Sequence, residues 1–185
     1  MPIMHDREYR DIAITAMETR AGEEGGRFVE GYAATFLQPY PLYRTEDYRV
    51  MEQIDPAAFD GADLSDVIMQ YNHDGRVFAR TRNGTLVLSS DEHGLKIRAD
   101  LSGTEIGRQL YEEIRGGYTD KMSFGFTVAA DKQTETEEDG VRTILRTITK
   151  VRKLYDVSAV SLPANDATEI SARSLSEGVI AKAEE

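Results

Sequence analysis

Cysteine is absent from the 185-residue chain. That excludes a disulfide framework, a thiol nucleophile and a Cys-rich zinc site, and it fits a reducing compartment. Histidine is scarce, with three residues, a short supply for a metal centre. Basic residues are outnumbered, 22 against 33 acidic, for a net charge of −11. A protein that grips nucleic-acid phosphates needs a basic footprint, so nucleic acid is not an expected partner. The same balance argues against an anionic membrane surface. Long apolar runs are missing too: none approaches the roughly 18 residues of a spanning helix, and no basic-then-apolar start reads as a signal peptide. What remains is an intracellular, acidic, non-metal chain. At 20.7 kDa and 40% apolar it can bury a real core as one domain with a tail.

No internal repeat is present. Residues 1–26 read as a polar lead-in, frayed or strand-forming, 27–170 as the domain, and 171–185 as a flexible tail of Ser, Glu, Lys and Ala. Strands are expected at 27–36, 67–71, 85–89, 95–101, 123–128, 141–151 and 154–162. Leu95, Ile97, Ala99 and Leu101 alternate with Lys96, Arg98 and Asp100, the period of a half-buried strand, so 85–101 reads as a hairpin. Residues 37–48, with Pro39 and Pro41, read as an ordered loop, and Asp55-Pro56 as the start of a short helix. Ser102 and Glu105 have capping-box spacing. Ile106, Leu110 and Ile114 then mark one helical face over about 103–115, and Gly116-Gly117 supplies the stop. The acidic stretch 131–140 reads as a solvated hairpin tip. Many short strands with few helices suggest an antiparallel barrel or sandwich with helical additions.

Three residues could carry chemistry. His73 follows an apolar strand in Asn72-His73-Asp74-Gly75, at a strand end where scaffolds present functional groups; a plain turn residue is the competing reading. Ser123 opens Ser123-Phe124-Gly125-Phe126, where Gly125 loosens the strand and permits close approach of another backbone; a serine bonded at a strand start would look the same. Asp156 lies in an otherwise apolar strand, where a carboxylate needs a partner. An imidazole would serve, and so would Arg152, Lys153 or an arginine across the sheet. Serine, histidine and acid form a set in which histidine takes the hydroxyl proton and the acid orients the imidazole. No Gly-x-Ser-x-Gly elbow is present.

The order of segments adds to this. Gly31-Tyr32-Ala33-Ala34-Thr35-Phe36, Ile54-Asp55-Pro56-Ala57-Ala58-Phe59, Asn72-His73-Asp74, Met122-Ser123-Phe124-Gly125-Phe126 and Asp156 through Asn165 occur in a fixed series over about residues 28–167. That series resembles the tailed-phage prohead protease family, itself similar to the herpesvirus assemblins. The resemblance implies a mainly β fold with helices (α+β), an assemblin-like closed antiparallel β-barrel flanked by helices. It implies a serine endopeptidase of procapsid maturation, located inside the assembling procapsid in the host cytoplasm. Its partners would be scaffold protein and major capsid protein as substrates, its own chain, and possible further copies as a homo-oligomer. No cofactor is implied. Carried over by motif, His73 is the general base, Ser123 the nucleophile and Asp156 the orienting acid, where the family commonly has glutamate. Backbone N–H groups near Ser123 or within 142–152 would hold the oxyanion. The competing class is a non-catalytic capsid or scaffold module with the same barrel.

Overall fold

The computed structural model describes residues 7–12, 18–21, 25–161, 180 and 183. In chain order these form β1 (Arg7–Ile12), β2 (Glu18–Ala21), β3 (Arg27–Thr35), β4 (Tyr40–Arg44), β5 (Tyr48–Ile54) and β6 (Ile68–Tyr71). There follow β7 (Asp74–Arg80), β8 (Leu86–Ser90), β9 (Gly94–Asp100), helix α1 (Glu105–Arg115), β10 (Lys121–Glu138) and β11 (Val141–Val160). The alternation read at residues 95–101 is realised: Leu95, Ile97 and Ala99 are buried on β9, which pairs antiparallel with β8.

Two sheets result. Seven strands make the larger, in the order β1-β10-β11-β5-β4, with β6 pairing to β11 and β7 to β6. The smaller has the order β2-β3-β9-β8. Among the described residues neither closes on itself, which corrects the expected closed barrel. The all-antiparallel expectation also fails, because β11 pairs in parallel with β5 and, further along, with β6. A strand of 20 residues is long enough to serve two short neighbours in series. It absorbs both stretches read as separate strands at 141–151 and 154–162, apart from the last residues. Among the described residues the helical parts include α1, a single 3-10 turn at Thr81–Asn83, and Ile180 and Ala183.

Local chemistry accounts for the other departures. The helix cap is Thr104, whose Oγ1 accepts from Gly107 N at 3.0 Å, so α1 starts two residues beyond the Ser102 spacing, and Gly117, with φ +74°, is its left-handed stop. Asp55 builds no helix. Its Oδ1 accepts from Ala57 N at 2.9 Å, an Asx turn, and single-turn bonds carry the chain through Ala62. The loop expected at 37–48 contains β4, on which Pro41 is tolerated because the strand lies at a sheet edge.

One core joins the inner faces. Val29, Leu95 and Ile97 of the smaller sheet meet Phe124, Phe126, Leu154 and Val157 of the larger, and Leu110 and Ile114 of α1 close one side. On β10 and β11 the even–odd alternation therefore sends the Phe124 and Val157 side chains to the core, and Ser123 and Asp156 to the opposite face.

Candidate active site

Ser123 stands opposite Ser158, and Gly125 opposite Asp156, in the antiparallel register of β10 and β11. Serine and aspartate thus share a face one diagonal step apart. His73 arrives from the turn between β6 and β7, where Tyr71 pairs with Asp74 and Asn72 and His73 have φ values of 50° and 59°. Two successive left-handed residues make the tight hairpin connection. The turn is tied to β11: Asn72 N donates to Ala159 O at 2.9 Å, and Asn72 Oδ1 accepts from Ser161 N at 3.1 Å.

These placements bring all three sequence-selected residues together. His73 Nε2 lies 2.6 Å from Ser123 Oγ. His73 Nδ1 bonds Asp156 Oδ2, which also accepts from Ser158 Oγ at 2.8 Å. The second carboxylate oxygen, Oδ1, takes the Arg7 guanidinium. Asp156 and Ser123 are fully buried. Burial alone pushes the Asp156 carboxyl up, but the imidazole, the Ser158 hydroxyl and Arg7 outweigh it and hold the carboxyl below its ordinary range. With Nδ1–H aimed at Asp156, Nε2 presents its lone pair to the serine hydroxyl. That geometry can move a proton from Ser123 to His73 while Asp156 faces the resulting positive ring.

Gly125 makes room for this. A Cβ there would come within 2.4 Å of Asp156 Oδ1 and 2.7 Å of the Tyr9 ring. The close approach expected at Gly125 is made by side chains, a carboxylate and an aromatic ring, rather than by another backbone. His93, by contrast, stacks edge-on against Tyr32 in the β8–β9 turn, away from the site; His5 lies outside the described residues.

Several contacts had no signal in the sequence. Tyr9 covers His73 edge-on, with ring centroids 4.6 Å apart, and the Arg7 guanidinium sits over the Tyr155 ring at 4.3 Å. Ser158 had a weak signal, its i+2 spacing from Asp156 on one strand. On the core side, Glu52 is fully buried among charges: Arg10 Nε donates to it at 2.5 Å, Arg146 at 2.7 Å and Tyr40 Oη at 2.7 Å. Burial pushes Glu52 up, but the two guanidiniums and Tyr40 bring its carboxyl below the ordinary range. The stretch 142–152 runs away from the serine, since Val151 already pairs with Val128 and Arg142 with Glu137. Among the described residues no group of His and acidic side chains could hold a metal ion, and no helix is long and apolar enough to cross a membrane.

A solved structure, the bacteriophage T4 capsid assembly protease gp21, is similar at 15% identity with a TM-score of 0.46, over 85% of this chain and 98% of that one. No curated protein matches the chain. The family described as caudovirus prohead serine protease matches residues 15–180. That span is most of the chain and contains His73, Ser123 and Asp156, so the chain belongs to the caudovirus prohead serine protease family.

Proposed function

We propose that this chain is a serine endopeptidase of procapsid maturation, with Ser123 as nucleophile, His73 as general base and Asp156 as the acid that orients it. The observation that carries the reading is the continuous bond series from Ser123 Oγ through both nitrogens of His73 to Asp156. In the first step the Ser123 Oγ bonds to the substrate carbonyl carbon while its proton passes to His73 Nε2. The imidazolium returns that proton to the leaving nitrogen as the C–N bond breaks. Water then repeats the sequence on the acyl-enzyme and frees Ser123.

The substrates are scaffold and the scaffold-like arm of the major capsid protein, met inside the procapsid, where further copies of this chain assemble. Residues 27–170 are the protease domain, 1–26 lead into it, and 171–185 are a tail that carries the self-cleavage position. The full burial of Ser123 favours a second reading, a non-catalytic assembly module. Co-expression with scaffold and capsid protein separates the two. Cleavage that disappears in Ser123→Ala and in folded His73→Ala, by about 10⁴-fold or more, supports the protease. Cleavage that persists in Ser123→Ala sinks the mechanism, and none at all with the unaltered chain favours the module. Mass spectrometry of the active protein reads the tail: an intact C-terminus removes self-cleavage there.

A further inference from the structure

A nucleophile with no exposure cannot meet a substrate, and the segment that closes it off is identifiable. β1 pairs antiparallel along β10, with Asp11 opposite Ser123, Tyr9 opposite Gly125 and Arg7 opposite Thr127. It lies at the edge of the larger sheet, and among the described residues β10 has no other neighbour on that side. The Arg10 carbonyl oxygen accepts from Ser123 Oγ at 3.0 Å. A hydroxyl has one proton, so this carbonyl competes with His73 Nε2 for it.

β1 holds on through both of its faces. Arg7 and Tyr9 lie against Asp156 and His73. Glu8 and Arg10 point the other way and join Glu52 and Arg146. The fit is imperfect at one place. Thr127 Oγ1 and Arg7 Nε are buried without a hydrogen-bond partner among the described residues, and these two residues face each other across the strands. A buried polar atom left unpaired is a cost to the folded state, so the contact between β1 and β10 is not fully satisfied at this pair.

Resting on the protease reading above, we propose that β1 occupies the place of the substrate strand: an extended polypeptide substrate displaces it and adds to the edge of β10 at residues 122–127, and the chain with β1 docked is latent. Strand addition supplies main-chain bonds that hold a peptide extended beside the serine. Only the undocked fraction of molecules binds substrate, so apparent affinity falls by that fraction.

The test is the rate at which a fluorophosphonate probe labels Ser123 in the full chain, with Ser123→Ala as blank. Because the chain has no cysteine, Arg7→Cys with Thr127→Cys gives a single pair able to bridge β1 to β10. The oxidised form should label at least about tenfold more slowly than the same protein reduced, and Arg10→Met about tenfold faster than the unaltered chain. Equal rates in the oxidised and reduced forms overturn the latency of β1 and leave the protease reading intact. Absence of labelling and of scaffold cleavage in every form removes the protease reading instead. Amide hydrogen exchange on the unlabelled proteins then still decides β1: exchange faster than in β9 supports a displaceable strand, and exchange as slow as β9 overturns it.

Discussion

The β10–β11 hairpin has two unlike ends. Next to the site, residues 122–127 of β10 are buried without a break, whereas 129–138 are all exposed. Each end has a two-residue turn near it with successive positive φ values, Asp139-Gly140 at the tip (52° and 76°) and Asn72-His73 beside the serine (50° and 59°). At the tip glycine takes the second position without steric cost. At the site a histidine takes it, and a side chain in that conformation costs about 1–2 kcal/mol. The acidic tip follows local preference. The other turn adopts a costlier conformation that places an imidazole between a serine and an aspartate, and its bonds to β11 hold it there.

The sharpest way to break this comparison is Asp156→Asn. An amide cannot face a protonated ring as a carboxylate does, so kcat/KM for scaffold cleavage should fall by about 10⁴-fold. A near-normal rate in a folded protein moves the orienting role elsewhere. Acid comes next. Asp156 and Glu52 both have carboxyls held below their ordinary range. The unfolded chain therefore takes up protons first as pH falls. Their contribution is present in full above the unfolded values of about 3.9 and 4.3 and is lost below them. Calorimetry should find Tm steady from pH 7 to about 5 and falling steeply under 4; a Tm unchanged at pH 3 contradicts this.

Gly125→Ala should cost about 1–3 kcal/mol by denaturant unfolding, because a methyl there overlaps both Asp156 and Tyr9. Its cleavage rate should drop as well. Gly140→Ala is the counterpart at the tip. It has open space for a Cβ but φ +76°, so about 1 kcal/mol is lost with the cleavage rate unchanged. A rate effect at Gly140 as large as that at Gly125 would erase the distinction between the two ends.

How far the sequence could be read follows the same division. Strands β8 and β9 were legible because their apolar residues alternate and their turn is local. β5 was hidden by its own burial pattern: Val50, Glu52 and Ile54 are the buried positions, and a carboxylate stands where alternation needs an apolar residue. β7 offered no signal, since its first residues, Asp74 to Val77, are exposed. His73, Ser123 and Asp156 could be singled out because each sits oddly in its own neighbourhood. Arg7, Tyr9 and Arg10 sit in an ordinary polar stretch, and their meaning depends on a strand more than a hundred residues away.

That separation has a consequence in time. Arg7 pairs with Thr127 and Ile12 with Met122, so β1 waits for a partner about 110 residues later in synthesis. At roughly 5–20 residues per second, the wait is about 5–20 s. Throughout it β1 is an unpaired hexapeptide on the ribosome. When β10 emerges its edge is bare, and any extended chain nearby competes with β1 for it until the ion pairs of Arg7, Glu8 and Arg10 form.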